Sequence, residues 1–142
     1  MRITEEIFSE NIRLDTKDPF LLSLKIKDIA GNFGEPVEKK NIYETDGPRK
    51  RVELSFEIKK KIDKFTSSVM VFDLNGESTT NGFLDIRFKG IVKTEMKKTG
   101  PVSKTFNDFY VSETLPSLKK EFVNLKAAGN ELKKQISALK TI

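Results

Sequence analysis

The stretch 115–139, Leu-Pro-Ser-Leu-Lys-Lys-Glu-Phe-Val-Asn-Leu-Lys-Ala-Ala-Gly-Asn-Glu-Leu-Lys-Lys-Gln-Ile-Ser-Ala-Leu, places leucine at every seventh position: Leu118, Leu125, Leu132 and Leu139. Leu115, Phe122, Gly129 and Ile136 interleave at spacings of three and four, so one apolar stripe runs down one long helix, about residues 114–140. Written as a heptad, the leucines fill every d position and the a positions read Leu, Phe, Gly, Ile. A leucine zipper wants a β-branched residue where Gly129 stands. Glycine there costs about 1 kcal/mol against alanine in a helix. It also forfeits the ~1.5–3 kcal/mol of burying a large aliphatic side chain. The e positions are Lys119, Lys126, Lys133 and Lys140, and the g positions Glu121, Ala128, Gln135 and Ile142. In a parallel homodimer only Glu121 with Lys126 attracts, and an antiparallel one sets lysine against lysine. The favoured reading is therefore a helix lying on its own domain's β-sheet. Ala127, Ala128 and Gly129 let the backbones approach, and the lysine stems flank the buried stripe. Dimerisation through the Leu118–Leu139 stripe is the alternative, and it requires that stripe to lie exposed in the monomer.

Moving back along the chain, the period changes to two. Leu84, Ile86, Phe88, Val92 and Met96 share one face of a strand over about 83–96, with Asp85, Arg87, Lys89, Lys93 and Glu95 opposite. Gly90 falls on the apolar face, where a missing side chain marks a bend, a bulge or close approach. A glycine in the helix stripe and a glycine in the strand's buried face point to one place. Gly90 and Gly129 are expected where the final helix crosses the sheet, with Cα atoms no further apart than ~12 Å given helix-packing distances of about 8–10 Å. Val52, Leu54, Phe56, Ile58 and Ile62 alternate with charged residues in a long half-buried strand. Residues 65–74 are apolar on both faces, which marks a central strand, and Asn75-Gly76 reads as the start of a polar loop running to Gly82. Val37 to Glu44 is a polar edge strand, followed by a turn at Asp46-Gly47-Pro48. Residues 2–14 form a first strand, with Ile12 and Leu14 on one face. Asp18-Pro19 is a helix opening, Leu22, Ile26, Ile29 and Phe33 follow at helical spacing, and Gly31 and Gly34 mark the stop. Phe20, Leu22, Leu24 and Ile26 also alternate as a strand would; both end signals favour helix. Phe106, Phe109 and Tyr110 lead into the final helix, with an extra strand expected at 105–111 and a helix start near Ser112 to Pro116.

A chain of 142 residues is one domain, large enough to bury a core, and residues 1–142 are read as a single α+β unit. Charged residues make up 33% and hydrophobic ones 37%, with a net charge of +5, which suits a globule with a lysine-rich surface. There is no cysteine and no histidine. Thiolate metal sites, cysteine nucleophiles, the usual neutral-pH general base and the commonest transition-metal ligand all drop out with them. No metal or other cofactor is expected. No apolar run reaches signal-peptide or membrane-span length, so the expected address is the cytoplasm.

The paired strands Arg51–Lys64 and Phe65–Asn75, the strand Phe83–Met96 and the helix Leu115–Leu139 occur in an order that resembles the helix-grip fold of the START and polyketide-cyclase-like superfamily. The resemblance implies an antiparallel sheet wrapped around a long C-terminal helix, with a cavity between them. Its members include lipid carriers, cyclases, hydroxylase domains and co-chaperone activators, so the fold by itself selects no activity.

With that fold, a small apolar ligand sits between sheet and helix against Phe56, Phe72, Phe88, Gly90, Phe122, Leu125 and Gly129. The competing reading of the same residues is plain core. A protein partner is the other candidate occupant. Arg49-Lys50-Arg51, Lys59-Lys60-Lys61, Lys97-Lys98 and the lysine file at 119, 126, 133 and 140 leave a basic nucleic-acid-associated protein as the second class of function. Alternation separates Lys60 from Lys59 and Lys61, and interspersed acids favour a solvated surface. For catalysis, Glu53 and Glu57 share a face but stand some 13 Å apart by strand rise, too far for a close acid pair. Cross-strand pairing of the strand acids with Arg87, Lys89 or Lys93 is the simpler account. The expectation is a non-catalytic binding domain, monomeric rather than dimeric.

Overall fold

Asp18-Pro19 does open a helix. In the computed structural model, which describes residues 2–95 and 115–139, the Asp18 carboxylate accepts from the Leu21 N–H at 3.1 Å and Pro19 holds the first helical position. This helix, α1 (Pro19–Gly31), buries Leu22, Ile26 and Ala30 at successive i, i+4 positions. Leu24 is left exposed, which is where the strand-like alternation fails. Capping at both ends outweighs an alternation that any mixed helix can show by chance.

Among the described residues, five strands follow the sequence's period-two segments: β1 (Arg2–Asp15), β2 (Pro36–Asp46), β3 (Arg49–Lys61), β4 (Thr66–Ser78) and β5 (Gly82–Glu95). They form one antiparallel sheet in the order β1-β5-β4-β3-β2. β4 is central, as its two apolar faces require, and β2 is an edge. The polar loop expected from Asn75-Gly76 is a correction. β4 continues to Ser78, with Gly76 paired to Val52 on one side and Leu84 on the other. A Cβ on Gly76 would lie 2.5 Å from the Phe83 carbonyl oxygen, so this Asn-Gly is a close strand contact. Two ladders of backbone hydrogen bonds override a dipeptide turn propensity.

One face of the sheet carries the core: Val52, Leu54, Phe56 and Ile58 of β3, Met70, Phe72 and Leu74 of β4, and Leu84, Ile86, Phe88 and Val92 of β5. Both helices pack on that face. α1 lies mainly over β3, and α2 (Leu115–Ser137) lies over β1 and β5 and touches α1. Leu125, Leu132 and Ile136 of the heptad stripe are buried there, Leu132 and Ile136 with no exposed surface. The zipper alternative is thereby corrected: its seam is already occupied by the chain's own sheet. The architecture is α+β, a five-stranded antiparallel sheet with a long C-terminal helix against it, in the helix-grip arrangement. Phe106, Phe109, Tyr110, the strand expected at 105–111 and residues 112–114 lie outside the described residues.

Candidate apolar site between sheet and C-terminal helix

Three of the expected site residues meet around a side chain that periodicity did not single out. Phe8, on β1, is the cross-strand partner of Gly90 and shares the face of Ile12 and Leu14 by unbroken alternation, just past a register shift between Glu6 and Phe8. A Cβ on Gly90 would lie 2.3 Å from Phe8 Cε1 and 3.0 Å from Leu125 Cγ. On the helix side, a Cβ on Gly129 would lie 2.8 Å from Phe8 Cδ1, Cε1 and Cζ. Both glycines thus lie against one ring, which keeps their Cα atoms within about 8 Å of each other by ordinary bond lengths. Helix and sheet do cross there, but the space freed by the two glycines is filled by Phe8. An aromatic side chain laid over a cross-strand glycine is a recurring way of covering it.

The remaining phenylalanines extend from that point across the sheet. Phe56 and Phe72 stack at 4.6 Å between centroids, and Phe72 and Phe88 at 5.6 Å, each pair at 11° between planes. Phe8 closes the row edge-on to Phe88 at 5.9 Å and 67°. Phe56, Phe72 and Phe88 are essentially fully buried, whereas Phe8 is half-buried. The row therefore runs from a sealed interior to a ring that solvent reaches. Phe122 is also half-buried and packs on the same core from α2. Of the seven residues read from the sequence, Gly90, Leu125 and Gly129 surround the Phe8 ring and Phe88 touches it. Phe72 and Phe56 line up behind Phe88. Phe8 was missed because the charged Glu10 stands between it and Ile12 in the alternation that carries Ile12 and Leu14 inwards. The signal that could have found it is the glycine at its partner position.

Charged groups stand at the rim. Lys133 of α2 bonds Glu10 of β1 at 3.1 Å, and Lys60 of β3 pairs with Glu121 of α2 at 3.6 Å. These two pairs tie the helix to strands on either side of the apolar contact.

The outer face of the sheet is different in kind. Arg13 holds Asp85 through two bonds of 2.6 and 2.8 Å, and this hydrogen-bonded guanidinium keeps the Asp85 carboxyl below its usual range. Glu53 is lowered by Lys40 and then Arg51; on the opposite, helix-covered face Glu38 is lowered by Lys27 and then Asn41. Arg49 pairs with Glu77 at 2.9 Å. Ser55 donates to Asp73 at 2.6 Å. Asp85, Glu53 and Asp73 are thus held chiefly by Arg13, by Lys40 and Arg51, and by Ser55, and of the expected partners Arg87 adds a smaller charge attraction to Asp85. A cleft of about 220 Å³ opens at the β4–β5 turn, lined in part by Arg49, Glu77, Asn81 and Phe83, on the far side of the sheet's end from the Phe8 contact. Among the described residues no helix is long and apolar enough to cross a membrane.

No protein-family profile matches the chain, and neither does any of the curated proteins compared with it. Among solved structures, 82% of this chain aligns with 98% of a START superfamily protein from Mycobacterium smegmatis, at 10% identity and a TM-score of 0.22. A second alignment covers 84% of this chain and 99% of Ara h 8.0201, at 10% identity and a TM-score of 0.17. The fold assignment rests on the chain's own strand order and helix placement.

Proposed function

We propose that the chain is a non-catalytic binding domain that takes a small apolar ligand between its sheet and its C-terminal helix. The observation that supports this is the slot between Gly90 and Gly129, filled by the ring of Phe8. Both walls of the slot lack side chains, its end is the Phe88 ring, and its occupant comes from an edge strand and reaches solvent. A ligand with a ring or short branched chain replaces Phe8 against Phe88, Leu125 and the two glycines, and Phe8 turns outward. Phe122 covers the ligand from the helix, while Phe72 and Phe56 hold Phe88 in place. Burial of the ligand's apolar surface supplies the affinity, at about 25 cal/mol per Å². No cofactor takes part, and the domain works in the cytoplasm. A protein partner inserting one apolar side chain into the same slot is the alternative occupant. Nucleic acid is not the proposed partner, since Arg49, Arg51, Lys40 and Lys60 are each engaged by a carboxylate, and Lys60 lies on the opposite face from the other three.

The test is a methyl and aromatic NMR titration with indole, naphthalene and decanol as probes. Saturable shifts centred on Phe8, Phe88 and Leu125 are expected, lost in Gly129→Leu, whose side chain blocks the slot. Shifts spread over the surface, or none with any probe at its solubility limit, would overturn the reading.

A further inference from the structure

The strand order leaves one long edge of β2 open, eleven residues whose outward N–H and C=O groups lack a ladder partner among the described residues. Edge strands are usually guarded by like charges, bulges or cover. β2 has a bulge between Glu38 and Lys40, but beyond it the outer-face side chains run Lys40, Ile42, Glu44: positive, apolar, negative. That sequence is self-complementary. A second copy laid antiparallel about Ile42 sets Ile42 against Ile42 and Lys40 against Glu44 twice; the like-charged Glu38 and Asp46 approach only past the bulge, where Glu38 is already paired with Lys27. The backing residues continue the pattern. Lys40 is held by Glu53 at 2.6 Å, Glu44 by Arg51 at 3.4 Å, and Arg51 also binds Glu53. Across the joined edge, charge alternates from Arg51 to Glu44, then to Lys40 and Glu53 of the second copy.

The other face of the sheet agrees. Leu24 of α1 is 48% exposed, and helical spacing places it beside Phe20 and Lys27. Those two touch β2: Phe20 meets the Tyr43 ring at 5.1 Å, and Lys27 pairs with Glu38. Leu24 therefore lies on the side of α1 that leans towards the open edge. A two-fold axis normal to the sheet brings the Leu24 side chains of both copies towards each other above the joined strands.

We propose that two copies of this chain associate by antiparallel pairing of their β2 edges, centred on Ile42, into one continuous ten-stranded sheet. The buried α2 stripe takes no part, and the ligand slot, at the opposite edge of the sheet, stays accessible.

Sedimentation velocity over a concentration series tests this with two charge reversals. Lys40→Glu and Glu44→Lys each place two like-charge contacts across the axis, so each alone is expected to weaken dimerisation about tenfold or more. Mixed together they restore it, because the Lys40→Glu copy and the Glu44→Lys copy attract at both contacts. A second measurement does not depend on charge. The chain has no cysteine, so Ile42→Cys carries the only thiol, and mild oxidation is expected to give a covalent dimer. A wild type that stays monomeric at millimolar concentration, or a dimer indifferent to both reversals, overturns the proposal. So does an Ile42→Cys variant that stays uncrosslinked under conditions where the wild type sediments as a dimer.

Discussion

Gly129 on the C-terminal helix and Phe8 on the first strand are in contact through three ring atoms, each 2.8 Å from where a Gly129 Cβ would stand. The same ring also fills the space beside Gly90, where a Cβ would lie 2.3 Å from Phe8 Cε1. The helix can lie this close only because residue 129 has no side chain. That one relationship sets the separation of helix and sheet, and it places the aromatic row beneath them.

Gly129→Ala should destabilise the fold despite alanine's helix preference. The new methyl overpacks the contact at a cost of about 1–3 kcal/mol, against a propensity gain of about 1 kcal/mol. A urea midpoint below wild type in Gly129→Ala, and one restored when Phe8→Leu is added, is the expected pattern. A midpoint above wild type would mean that the ring gives way freely.

Phe8→Ala should cost about 2 kcal/mol, less than the 3–5 kcal/mol of a fully buried phenylalanine because the ring is half-buried. The vacated slot is apolar, bounded by Phe88 and Leu125, so benzene should bind in it. A benzene-dependent rise in melting temperature is expected for Phe8→Ala and a much smaller one for the wild type.

Leu132→Ala should cost about 2–5 kcal/mol with no change in oligomeric state, because Leu132 is buried within its own chain. Amide exchange gives the same answer without a mutation. Protection over residues 125–136 should be independent of protein concentration, whereas protection of β2 should rise with it.

Acid should weaken the fold through Asp85, Glu53 and Glu38. Each is held below its ordinary value, 3.8 for the aspartate and 4.5 for the glutamates, by a basic neighbour. Their contribution is fully present above those unfolded-state values and is lost as pH falls through the lower folded-state ones. Urea midpoints should hold from neutrality to about pH 5 and fall below it. Asp85→Asn should flatten that fall, and 1 M salt should shrink it, since these pairs are solvent-exposed.

Element identities were largely legible in the chain. The α1 cap at Asp18-Pro19, the β3 alternation from Val52 to Ile58 and the two-faced apolarity of β4 are local patterns, and each survived packing. Asn75-Gly76 misled because a turn propensity of a kcal/mol or less competes with two neighbouring strands that no local window contains. The strand acids found partners, but which partners depended on register: Asp85 lies opposite Arg13 only because β1 pairs with β5.

The sequence by itself determined which face of each element is apolar, and that Gly90 and Gly129 mark a close crossing. It also excluded histidine and cysteine chemistry. These are properties of residue type and spacing, written in the chain before it folds. The tertiary structure alone decided what fills the crossing. β1 is the first strand, yet it pairs with β5, the last strand among the described residues, and that long-range register sets Phe8 opposite Gly90. The alternation that points Phe8 inwards with Ile12 and Leu14 is local, but the long-range pairing has no local signature. The same is true of the open β2 edge: its polar alternation is local, but only the strand order leaves it without a neighbour among the described residues.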